Sequence, residues 1–150
     1  MSQEQQDFGQ EQETIRPRPK VIRRKLKRET IPVFLEDEQG QVRGYVLQEL
    51  DGSGRDAYMN DTAGRMRIGP DGRPQGIKNF NGLQASLIHR SLFEAELEEQ
   101  GDDIIIKSIG KQVDIKVISS WPSGTQQELF DAAQQLSGLG KNAQQEAKND

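Results

Sequence analysis

The chain has 150 residues, 32% apolar and 29% charged, with 18 glutamines, and so polar a composition excludes a core that runs through its whole length. The lack of cysteine excludes a disulfide scaffold, a thiol nucleophile and thiolate zinc sites. The net charge of −4 conceals a basic start, +3 over the first thirty residues, on a remainder of −7.

Residues 1–15 are rich in Gln and Glu, with Phe8 as their only aromatic residue, and read as disordered. This start is acidic and polar, unlike a secretory signal. Pro17 and Pro19 favour extended backbone. Between Arg16 and Arg28 stand eight Lys or Arg and no acid, with Val21, Ile22 and Leu26 among them. Residues 1–30 are therefore expected to form a disordered basic arm, 31–138 a compact domain, and 139–150 a flexible polar tail.

The texture changes at Thr30. IPVFLE (31–36) and QVRGYVLQEL (41–50), joined through DEQG, predict a β-hairpin turning near Gly40. Ser53 can cap a following helix that Asp56 supports in its first turn, with Ala57, Tyr58, Met59, Ala63 and Met66 facing inward. Residues 68–80 read as a loop, with Pro70-Asp71-Gly72 as a turn. Asn81-Gly82-Leu83-Gln84 resembles a capping box, and Leu83, Leu87, Ile88, Leu92 and Ala95 follow at helical spacing, predicting a helix that ends near Gly101.

The stretch 102–119 stays open between two readings. Ile104–Ile106 looks like a strand and Gly110-Lys111 like a turn; beyond them, Asp114 caps a short helix, or 113–118 pairs as a strand. Ser123-Gly124-Thr125-Gln126 is a second capping box. It opens a helix with Leu129, Phe130, Ala133 and Leu136 on one face and Gly138 as its C-terminal cap. The expected class is α+β: an N-terminal hairpin, then a small core of about three helices.

Little in the chain looks catalytic. Asp102 and Asp103 are adjacent and point apart rather than chelating. The Gly69–Gly76 loop lacks a phosphate-binding signature, and Gly140-Lys141 lacks the Ser or Thr that a phosphate loop needs. His89 reads as a partly exposed helix histidine without a Ser or Asp partner. No run approaches the length of an apolar membrane span. The expectation is a cytoplasmic protein that is not an enzyme and takes no cofactor or metal. Arg23, Arg24, Lys25, Lys27 and Arg28 are candidate partner contacts, through nucleic-acid phosphates, an acidic protein surface or a neighbouring copy; a solvated tail is the plain alternative. Trp121 is a core residue under the last helix or a partner-facing anchor, and Phe130 a core or partner contact.

Three runs fall in a familiar order: YVLQELDGSGRDAYM (45–59), NFNGLQASLIHRSLFEA (79–95) and WPSGTQQELFDAAQQLSGLGK (121–141). Together they resemble the tail assembly chaperones of long-tailed, siphophage-like bacteriophages. The resemblance implies binding and solubilising of the tape-measure protein and recruitment of tail tube subunits in the host cytoplasm, with the chaperone absent from the mature virion. It also implies a longer form made by a programmed frameshift, for which Leu139-Gly140-Lys141 is a candidate position. The reading from another class is a basic-armed nucleic-acid-binding regulator; the acidic body weighs against it.

Overall fold

The computed structural model describes residues 20–139. In chain order the elements are β1 (Thr30–Glu36), β2 (Val42–Gln48), α1 (Gly52–Gly64), β3 (Met66–Ile68), β4 (Pro74–Ile77), α2 (Leu83–Ser91), β5 (Leu92–Gln100), β6 (Asp103–Gln112), α3 (Ile115–Ser119) and α4 (Ser123–Leu136). The protein is α+β, as expected, and opens with the expected hairpin. The remainder differs from a purely helical core. Four helices are present among the described residues, and the hairpin is half of an antiparallel sheet of order β1-β2-β5-β6.

The hairpin follows from period-two alternation. Ile31, Val33 and Leu35 on β1 stand on the same side as Tyr45 and Leu47 on β2, because Ile31 pairs with Leu47 and Val33 with Tyr45. That side packs on the helices. Leu47, Leu87, Ile88, Leu92, Ile118 and Ala133 are fully buried there, with Leu129 and Val113 close behind. Asp37 closes the turn, its carboxylate accepting from the Gln39 and Gln41 amides.

The largest correction concerns residues 92–101. The expected helix from Leu83 stops at Ser91, and Leu92 begins β5. Leu92 and Ala95 fit helical spacing, but Phe93-Glu94-Ala95-Glu96-Leu97-Glu98 alternates strictly, and pairing with β6 decides in favour of the strand. Gly110-Lys111 is no turn either. Phe93 pairs with Gln112 and Ala95 with Ile109, so both residues oppose Glu94 alone as a β-bulge.

Beyond that bulge the β5–β6 ribbon bends across the other side of β2. A Cβ on Gly44 would lie 2.8 Å from the Ala95 carbonyl oxygen and 3.1 Å from Leu97 Cγ. Only glycine admits so close a crossing. Val46, on that second side with Pro32 and Phe93, is fully buried by this bend although it stands apart from the main core.

Smaller differences sit at helix ends. Asp51, not Ser53, caps α1, accepting from the Gly54 amide at 2.7 Å. Tyr58 alone of its expected inward set is fully enclosed; Met59 and Ala63 are exposed, and Met66 opens β3. The loop 68–80 contains β4, and its Pro70-Asp71-Gly72 turn is present, closed by the Gly72 amide on the Gly69 carbonyl. Gly82 and Pro122 occupy the N-cap positions of α2 and α4, without side-chain capping bonds. Asp114 caps α3, so 113–118 takes its helical alternative. Gly138 ends α4 at φ 70° as expected. The Gly138 and Leu139 amides reach back to the Gln135 and Gln134 carbonyls, which is a Schellman ending. It tucks Leu139 into the core at 5% exposure, so the compact unit runs one residue past the expected boundary at 138.

Two polar ties hold α2 in place. His89 Nδ1 donates to the Val113 carbonyl at 2.7 Å, which places it as a partly buried structural residue. Asp61 on α1 accepts from the Ser86 hydroxyl at 2.8 Å and from Arg65 Nε at 3.3 Å. The Ser86 bond holds the Asp61 carboxyl below its ordinary value; partial burial opposes this and the Arg65 guanidinium adds to it. The stability that this carboxylate supplies is therefore complete above the ordinary carboxylate range and is lost as pH falls through the depressed folded value.

Two expectations follow. Phe130 on α4 is partly buried against the core, so Phe130→Ala should cost about 2–3 kcal/mol in denaturant unfolding, below the ~3–5 of a fully enclosed ring. Asp61→Asn should cost about 1–2 kcal/mol at neutral pH, an amount limited by partial exposure. That gap should shrink as pH drops below about 4, measured as the difference between wild-type and variant urea curves.

Candidate functional site

Three surfaces are open to a partner. The first is a groove of about 510 Å³ where the hairpin end meets the α3–α4 corner. Leu35 and Tyr45 come from the helix-facing side of the hairpin, and Val117, Trp121, Pro122 and Thr125 from the corner. The sequence places them there because Trp121-Pro122 cannot continue α3 and must turn before α4. The Trp121 amide is held by the Ile118 carbonyl, and its own carbonyl accepts from Gln126 Nε2. The Tyr45 and Trp121 rings meet edge to face, with centroids 5.9 Å apart. Burial pushes the Tyr45 phenol above its usual value; Arg43 opposes this and Glu94 adds to it. The floor is therefore neutral and aromatic.

The rim of that groove is acidic. Glu36, Asp37 and Glu38 line it against a single base, Arg43. Asp37 is engaged in the turn, whereas Glu36 and Glu38 enter no ion pair among the described residues. An aromatic floor with carboxylates at its edge suits a segment that carries aliphatic side chains and flanking cations.

The second surface is the side of the sheet that the helices leave uncovered. Phe34, Val42 and Ile109 stand on it at 45%, 54% and 44% exposure, beside the partly buried Pro32, Phe93 and Leu97. Open apolar area of this kind marks interaction sites.

The third surface is the arm. Residues 20–29 are exposed and have no regular structure, and the side chains of Arg23, Arg24, Lys25, Lys27 and Arg28 surround a shallow concavity of about 390 Å³ with Glu29 and Thr30. Its base is fixed: Glu29 pairs through backbone and side chain with Glu49, and Arg28 reaches the Glu49 carbonyl.

The sequence-derived candidates therefore separate. Trp121 packs against the core and on Tyr45, and also lines the groove. Phe130 belongs to the core side of α4. The five basic candidates cluster on the arm, away from the groove. Leu139 is a core residue; Gly140 and Lys141, with the remainder of the tail and residues 1–19, lie outside the described residues. Sequence reasoning missed Leu35, Tyr45 and Val117 as lining residues and used Glu36 only as the end of a strand and Asp37-Glu38 only as turn material, although three consecutive acids beside an aromatic strand were a visible signal.

Among the described residues no group of three or more His, Asp or Glu could hold a metal, and no helix is long and apolar enough to cross a membrane. No family model matches the chain, and neither a curated protein nor a solved structure matches it.

Proposed function

We propose that the protein is a tail assembly chaperone of a long-tailed bacteriophage, binding and solubilising the tape-measure protein and helping to recruit tail tube subunits. The observation that carries this reading is the uncovered apolar side of the sheet, with Phe34, Val42 and Ile109 exposed, on a body that is otherwise acidic. A long helical client presents repeated apolar stripes that aggregate when bare. Covering them with many small acidic copies removes apolar area from water and keeps the assembly charged and dispersed. The task needs no catalysis and no cofactor. It takes place in the host cytoplasm, and the chaperone leaves before the virion is complete.

The same reading places a programmed frameshift at the codons for Leu139, Gly140 and Lys141. A longer product that shares residues 1–141 retains every described core residue, and its new segment serves the tube subunits.

A nucleic-acid-binding regulator is the second reading. The observation that favours it is the exposed cluster Arg23–Arg28, whose cations would release counterions from phosphates. The arm has no aromatic residue on which to stack a base.

The test is co-expression with the tape-measure protein encoded beside it. Wild type should co-purify with that client and keep it out of the pellet. The combined variant Phe34→Ser, Val42→Ser and Ile109→Ser should melt within a few degrees of wild type, since exposed positions cost about 0.5 kcal/mol each. It should no longer co-purify. A client that ignores wild type, or binds the variant equally well, rejects the proposal. If instead wild type binds duplex DNA or RNA steeply with falling salt, and replacing Arg23, Arg24, Lys25, Lys27 and Arg28 by Gln abolishes this, the regulator reading prevails.

A further inference from the structure

We propose that the basic arm of one copy, residues 21–28, docks in the acidic aromatic groove of another copy. The arm carries apolar side chains that no described residue of its own copy covers: Val21, Ile22 and Leu26 are 82%, 84% and 106% exposed. Ile22 and Leu26 are four residues apart, and so share a side in either an extended or a helical segment. The groove offers what they lack, a half-open space lined by the paired rings of Tyr45 and Trp121.

Charge selects the same pair. The described arm holds Lys20, Arg23, Arg24, Lys25, Lys27 and Arg28 with no acid before Glu29, while the groove rim sets Glu36 and Glu38 against Arg43 alone. Burying the aliphatic side chains centrally, with ion pairs at the rim, is how such contacts gain both affinity and selectivity.

The arm does not enter its own groove. It leaves the body at Thr30, held there by the Glu29–Glu49 pairing, whereas the groove lies towards the other end of β1. The structure holds the arm away from its own body, with Ile22 and Leu26 exposed, and leaves the groove open to the arm of another copy. Two copies that exchange arms satisfy both grooves and close on a two-fold axis. Phe34 lines the edge of the groove as well as the uncovered side of the sheet, so this contact shares one residue with a client and leaves Val42 and Ile109 open.

The experiment uses the full chain, stripped of nucleic acid, in sedimentation equilibrium at low salt. Emission from Trp121, the only tryptophan, provides a second readout. Wild type should associate beyond the monomer as concentration rises, with Trp121 emission shifting in step, and the association should weaken as salt is added. Ile22→Asp with Leu26→Asp should weaken it at least about tenfold, and so should Glu36→Lys with Glu38→Lys. Combining Glu36→Lys and Glu38→Lys with Arg24→Glu, Lys25→Glu and Lys27→Glu should restore it to within about threefold of wild type, since the two reversals recreate opposite signs. All these positions are exposed, so melting curves should stay near wild type. A wild type that remains monomeric at about millimolar concentration, far above a specific contact's dissociation constant, overturns the proposal. So does association that the groove variant leaves unchanged, or an arm that binds added duplex DNA while the chain stays monomeric.

Discussion

Three residue pairs join the two halves of this protein. The β2–β5 pairing consists of Tyr45↔Glu94, Val46↔Phe93 and Leu47↔Leu92, and it is the only link between the N-terminal hairpin and the β5–β6 ribbon within the sheet. At its centre Val46, Leu47 and Leu92 are fully buried. Each such side chain contributes about 1.5–3 kcal/mol on leaving water. Leu47 and Leu92 point to the helices and Val46 points away, so the seam is sealed on both sides. Much else depends on it. The turn from α2 into β5 brings Leu92 against Leu47, α4 closes over the same leucines, and the groove at Trp121 exists because Tyr45, at the end of the seam, sets its ring against Trp121.

The seam also marks the limit of what local patterning could reveal. The hairpin was legible because its alternation and its Gly40 turn lie within twenty residues. α4 was legible because Leu129, Phe130, Ala133 and Leu136 recur at helical spacing before Gly138. Residues 92–100 misled because Leu92 and Ala95 continue the helical spacing of Leu83, Leu87 and Ile88, while the competing alternation of Phe93, Ala95 and Leu97 pays off only through a partner strand ten residues away. The caps misled for a related reason. Ser53, Asn81 and Ser123 have the right chemistry, but Asp51, Gly82 and Pro122 are where the chain enters each helix from its tertiary neighbours. Of the binding surfaces, the arm could be read from composition alone. The groove could not, because its floor gathers residues from positions 35, 45, 117 and 121 that only the fold unites.

The distribution of charge gives these surfaces distinct characters. The helix-facing side of the sheet is spent on stability. The opposite side keeps apolar area open, the hairpin tip gathers acids, and the arm gathers bases at the other end of β1. The acids and the bases thus sit towards opposite ends of one strand, where salt screens both without touching the core.

Gly44 carries a consequence for ancestry. The β5–β6 ribbon crosses β2 so closely at this point that the Ala95 carbonyl occupies the space of a side chain, and that carbonyl is backbone, which no substitution can trim. Drift at Ala95 or Leu97 cannot make room for a Cβ at position 44. Any protein descended from the same ancestor that retains this bend must therefore keep a glycine two residues before its buried Val46 counterpart, whatever else has changed. That spacing is a structural fingerprint by which distant relatives can be recognised.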